Sequence, residues 1–85
     1  FMNKFLKLVE EKVKNNIKIE NILVIDNSDK HKKHKFFDPK KYHLSLEIES
    51  GYLRSINKVA AQRKVMKVLN EELKDKIHAL EIKIK

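Results

Sequence analysis

The sequence predicts an α+β fold: one small domain whose elements run α, β, β, α, β. Three observations carry this. Apolar residues recur at helical spacing near the start and again past the middle, two other segments alternate apolar and polar residues, and only one glycine and one proline interrupt the chain.

Between Asn3 and about Asn16, Phe5, Leu6, Val9, Val13 and Ile17 fall on one helical face, and Glu10 precedes Lys14 in the favourable i,i+4 order. From Ile17 to Asp26 the chain turns β-branched and reads as a strand, which ends where Asp26, Asn27 and Ser28 offer turn chemistry. Tyr42 to Ser50 alternates strictly, placing Tyr42, Leu44, Leu46 and Ile48 inward and His43, Ser45, Glu47 and Glu49 outward. Gly51 breaks that strand, and Ser55 is the expected N-cap of one long helix reaching about Lys74. Its core stripe is read as Val59, Met66, Leu69, Leu73 and Ile77, with Gln62 on the same stripe and a Glu72–Lys76 pair near its end. A last strand starts at about Ile77, and its alternation places His78 on one face with Leu80, Ile82 and Ile84.

A chain of 85 residues makes one domain, taken as residues 2–85, with a single modest core. Phe1, ahead of Met2, is set aside as a cloning remnant. With no cysteine there is no disulfide, no redox thiol and no sulfur ligand, so any soft metal centre must borrow its thiolates. No window approaches the roughly 18–20 apolar residues of a membrane span, and no secretory signal is legible. The expected location is the cytoplasm, or the mitochondrial matrix of a eukaryote if a presequence has been removed. The net charge of +8 predicts attraction to polyanions without choosing among them.

Chemistry concentrates in residues 27–41, a basic connection without periodicity, long enough to suggest function. His31 and His34 stand there at H-x-x-H spacing, a weak zinc signal, against the plainer reading of a solvated Lys/His loop. Lysines 30, 32, 33, 35, 40 and 41 disfavour imidazolium yet repel a bare divalent cation, so they suit a metal centre that arrives already carrying anionic thiolates, and would attract a polyanion such as nucleic acid equally well. His78 is either a buried, hydrogen-bonded ring or a ligand held on a rigid strand. Arg63, Lys67 and Lys74, with Arg54 and Lys58 before them, offer a basic helical surface for phosphates, although an ordinary solvated face is the plainer reading. Phe36 and Phe37 beside the basic run are read as anchors of the loop rather than base-stacking rings. No Gly-rich phosphate cradle, cysteine nucleophile or paired carboxylates appear, and no enzymatic activity is expected.

These residues resemble the BolA family. "VIDNSDKHKKH" is similar to its loop beginning D-x-S-x-x-H, "YHLSLEIES" to its H-F strand ending in Ser, and "VLNEELKDKIHALEI" to its L-x-E-E-L followed by H-A-L. The resemblance runs from about Ile19 to Ile84. It implies helices packed on one face of a three-stranded mixed sheet, related to class II KH domains. It also implies a heterodimer with a monothiol glutaredoxin, sharing a 2Fe-2S cluster that glutathione also ligates, in cluster trafficking or iron sensing. The isolated chain would be a monomer holding no cofactor tightly and needing no membrane. By position His78 would be the ligand of the H-A-L motif, His31 the loop ligand and His34 its alternate. Some members are described as transcriptional regulators, so DNA binding through Arg54, Lys58, Arg63, Lys67 and Lys74 is the alternative function. The chain departs from the family's F-x-G-K with Leu53, Arg54, Ser55 and Ile56, and from its R-H-R with Ala61, Gln62 and Arg63. A G-x-x-G grip on RNA is absent, since Gly51 stands alone.

Overall fold

Helix α1 spans Lys4–Asn16 in the computed structural model, which describes residues 4–28 and 41–85. Its apolar stripe forms as the periodicity predicts: Val9 and Val13 are fully buried, Ile17 follows them into the core, and Phe5 and Leu6 close the rim. The Glu10–Lys14 pair forms at 3.3 Å. Strand β1 is Asn21–Asp26, starting later than the β-branched run suggested because the chain needs residues 17–20 to turn off α1.

Strand β2, Tyr42–Glu49, is the centre of a three-stranded mixed sheet of order β1-β2-β3, where β3 is Ile77–Ile84. It runs antiparallel to β1 and parallel to β3. A parallel neighbour requires a crossover, and three helices supply it: α2 (Gly51–Arg54), α3 (Lys58–Val68) and α4 (Asn70–Asp75). Register places Ile22 opposite Ile48 and Val24 opposite Leu46, then Leu44, Leu46 and Ile48 beside Leu80, Ile82 and Ile84. Those side chains form one apolar face, and Val9, Val13, Leu53, Ala61, Val65 and Leu69 from the helices pack onto it. The opposite face presents Leu23, Ser45, Glu47, Glu81 and Lys83. Tyr42, at the start of β2, stacks on Phe5 with ring centroids 4.7 Å apart, fixing α1 over that end of the sheet.

The long helix expected from Ser55 to Lys74 is instead two helices, α3 and α4, preceded by the short α2 before Ser55. Ser50 opens α2, its Oγ accepting the Leu53 N–H at 3.0 Å and donating to the Lys18 carbonyl at 2.8 Å. Ser55 closes that turn, and Asn57 caps α3 by accepting the Ala60 N–H at 2.8 Å. The buried stripe also differs: Val59 is 59% exposed and Met66 43%, whereas Ala61 and Val65 are buried and lead to Leu69. Both stripes have helical spacing. Spacing alone does not choose between them, and in the fold Ala61, Val65 and Leu69 are the residues turned into the core. Glu72 pairs with Lys12, at 2.9 and 3.0 Å, rather than with Lys76, whose ammonium stands 6.0 Å over the Phe5 ring.

Candidate functional site

The first residues of β3 answer how His78 is held. Counting back by twos from Ile84 puts His78 on the core face, but the register slips by one residue. Ile77 pairs with Tyr42 and Ala79 with His43, so His78 is the extra residue of a β-bulge. The cause is apolar: Ile77 and Leu80 both belong to the core, and two residues three apart cannot share a face of a regular strand. The bulge turns Ile77 inward, 2% exposed, and leaves His78 exposed. The expectation that His78 shares the face of Leu80, Ile82 and Ile84 is therefore corrected. Its ring lies against His43, with centroids 5.1 Å apart and planes tilted by 40°. His43 has the outward parity expected of it but is buried, 7% exposed.

The long connection leaves the sheet at this same end. Asp26 Oδ1 accepts the Ser28 N–H at 2.9 Å and the Ser28 hydroxyl at 2.5 Å, an Asx-type turn at the close of β1. Ser28 Oγ in turn accepts the His43 N–H at 3.3 Å, and the Asn27 N–H donates to the His43 carbonyl at 2.7 Å. Asn27 Nδ2 donates to Ser45 Oγ at 2.5 Å. The start of the connection is thus bonded to the backbone of the residue whose ring meets His78. His31 and His34 lie outside the described residues. Among the described residues no three His, Asp or Glu side chains converge to hold a metal ion. His78 therefore offers a single imidazole at a rim, able to complete a coordination sphere whose other donors come from elsewhere.

Sequence reasoning missed the His43–His78 contact and the bulge behind it. The signal was present in "IHAL", where apolar residues three apart contradict a strand's period of two.

The five basic residues expected to meet phosphates are exposed, but they do not form one face. Arg54 sits on α2, Lys58, Arg63 and Lys67 on α3, and Lys74 on α4. Lys67 lines a cleft with Lys12, Lys64 and Tyr52, while Arg54 and Lys58 border a different groove beside β3. The family's departures sort by burial. Leu53 keeps a buried apolar residue in place of Phe, whereas the half-buried Ile56 and the buried Ala61 replace cations, so neither position offers a charge to a partner.

Comparison with known proteins agrees with this architecture. The profile of the family "BolA-like protein" matches residues 13–85. The BolA domain of SufE1 from Arabidopsis thaliana superposes with a TM-score of 0.84 at 27% identity, over 100% of this chain and 94% of that one. BolA1 from Arabidopsis thaliana gives 0.81 at 26% identity, covering 99% and 93%. BolA1 from Mus musculus shares the fold, with a TM-score of 0.79 at 20% identity over 99% of this chain and 66% of that one. No curated protein matches the chain significantly in sequence. With the family profile spanning all three strands and every helix of the crossover, the chain belongs to the BolA-like protein family.

Proposed function

We propose that this chain is an iron-sulfur accessory protein that binds a monothiol glutaredoxin and presents His78 to a 2Fe-2S cluster shared with that partner and glutathione. The observation that carries this reading is the bulge at His78, which takes an ionisable ring out of the core face and exposes it where the His-bearing connection leaves the sheet. Bulges in parallel pairs are rare and often re-aim a side chain beside a functional site. A ring sealed from solvent would have excluded ligation to a partner's cluster.

The donor set suits the group. A chain without cysteine can supply only nitrogen or oxygen, and histidine in place of cysteine on one iron is an established ligation that raises the potential and makes the site proton-sensitive. When bound, the cluster supplies one-electron chemistry and a transferable iron-sulfur unit. The chain's part is to hold the His78 ring on a strand, packed against His43, and to bring a loop histidine within reach. Use of a BolA unit as one domain of a larger protein, as the name of the SufE1 structure states, supports a module that works beside partners.

Co-expression with the host's monothiol glutaredoxin tests the reading. The expected result is a coloured heterocomplex that co-purifies with iron and acid-labile sulfide. A colourless glutaredoxin-free chain, with the glutaredoxin loading its cluster as a homodimer instead, would contradict it.

A further inference from the structure

The other end of β3 carries a feature remote from the histidines. Among the described residues β3 pairs only with β2, so its second edge is open. The Lys85 N–H donates to the Ile48 carbonyl at 2.7 Å, and the Lys85 carbonyl accepts the Ser50 N–H at 3.3 Å. The backbone groups of Lys85 thus point at β2. In a strand the N–H and C=O of one residue share a direction that reverses at the next residue. Glu81 and Lys83 therefore also bond towards β2, while Leu80, Ile82 and Ile84 each turn one N–H and one C=O to the open edge.

Beside this edge runs an open groove of about 510 Å³, between β3 and the helices α2 and α3. Its floor is aliphatic, with Ile56, Ala61, Ile82 and Ile84. Arg54 and Lys58 border it on the helical side, Lys83 and Lys85 border it from the helix-free side of β3, and no acidic side chain lines it. Lys85 is held by Glu47 at 2.7 Å, and the Arg54 guanidinium donates to the Lys85 carbonyl. Lys58 and Lys83 remain the more available charges, since the contact of Lys83 with Glu81 is exposed and 3.9 Å long.

We propose that this groove binds an extended acidic segment of a partner protein, which adds to β3 as a fourth strand. The open-edge amides supply main-chain bonds, alternate apolar side chains of the segment enter the aliphatic trough, the carboxylates between them lie beside Lys83 on the helix-free face, and a glutamate at the segment's end meets Arg54 and Lys58 on the helical wall. Two other occupants fit less well. A nucleic acid would find no aromatic ring in the groove on which to stack a base. A second copy pairing through its own β3 would bring Lys83 and Lys85 against the same cationic rim.

The test uses the full chain and a blocked seven-residue peptide alternating glutamate with valine or isoleucine. Binding is followed by amide chemical shifts and hydrogen exchange. The expected result is shifts confined to residues 53–62 and 80–85, with slowed exchange at Leu80, Ile82 and Ile84. N-methylation along one edge of the peptide should abolish binding while methylation along the other edge spares it. Replacing glutamate by lysine in the peptide, or Lys58→Glu with Lys83→Glu in the chain, should weaken binding roughly tenfold or more. These two lysines are exposed, so the double variant keeps the core intact. Binding indifferent to N-methylation and to charge reversal would overturn the proposal. So would oligothymidylate shifting the same residues when the peptide does not, or a concentration-dependent dimer protecting the same amides. The groove lies away from His78, so its failure would leave the proposed glutaredoxin role untouched.

Discussion

His78 reaches solvent because Ile77 and Leu80 compete for the same face of β3, and the bulge satisfies both. The side chain that carries the proposed chemistry is thus placed by the burial of its neighbour. Another local arrangement sets a pH dependence on the helix-free face. The hydrogen bond from Lys85, and then its charge, hold the Glu47 carboxyl below its ordinary 4.5. The same bond and charge raise the Lys85 ammonium above its ordinary 10.5. The Glu47 contribution to stability is present above about 4.5 and fades as pH falls through its lowered folded value. The Lys85 contribution is present below 10.5 and fades as pH climbs through its raised folded value. Glu47→Gln should therefore flatten the stability profile at both ends by lowering the plateau between them, and the drop is small because the pair is exposed. Urea midpoints measured across pH check this, and a variant profile as steep as the parent's at both ends would contradict it.

At the scale of elements, the crossover is built from short helices whose caps do more than their propensities. Ser50 is fully buried, and its hydroxyl both caps α2 and satisfies the Lys18 carbonyl between α1 and β1. Ser50→Ala would remove the cap and strand that carbonyl, at a cost of about 2 kcal/mol. Asn57→Ala removes only an exposed cap, at about 1 kcal/mol. Urea denaturation should rank Ser50→Ala as the more damaging; the reverse order would show that the bond to Lys18 contributes nothing.

These elements also mark what could be read beforehand. The stripe of α1, the alternation of β2 and the start of β3 were legible because each is a periodic pattern tied to one buried face. The break of the long helix was less so, since Ser50, Ser55 and Asn57 are all plausible caps and only packing decides among them. The core stripe of α3 was misread because Val59, Met66 and Leu69 and the observed Ala61, Val65 and Leu69 both have helical spacing, and only the packing of the fold decides which is buried. His78 was singled out as an ionisable ring in an alternating apolar strand, but its face was assigned wrongly because strict alternation assumes a regular ladder.

Across the whole molecule the excess of cations lies in two separate places in the chain, α3 with four cations and no carboxylate, and the connection 27–41 with six lysines against two aspartates, rather than in one track. Such a surface attracts polyanions without reading them. Binding of a short DNA duplex should fall roughly ten- to a hundredfold between about 50 and 200 mM salt, with a slope matching two to four phosphates and no dependence on sequence. Sequence-selective binding that survives the higher salt would favour the regulatory alternative instead. The imidazole end and the groove end of β3 are thereby separable, one offering a ligand and the other a docking edge.

The proposed role is tested most directly by the visible circular dichroism of the glutaredoxin complex assembled with the parent chain and with His78→Ala. The exposed ring can be truncated without opening the core, and far-ultraviolet spectra confirm that the variant is folded. Ligation through His78 predicts that the variant complex loses or reshapes its charge-transfer bands and releases iron faster. A visible spectrum and iron retention identical to the parent's would contradict it.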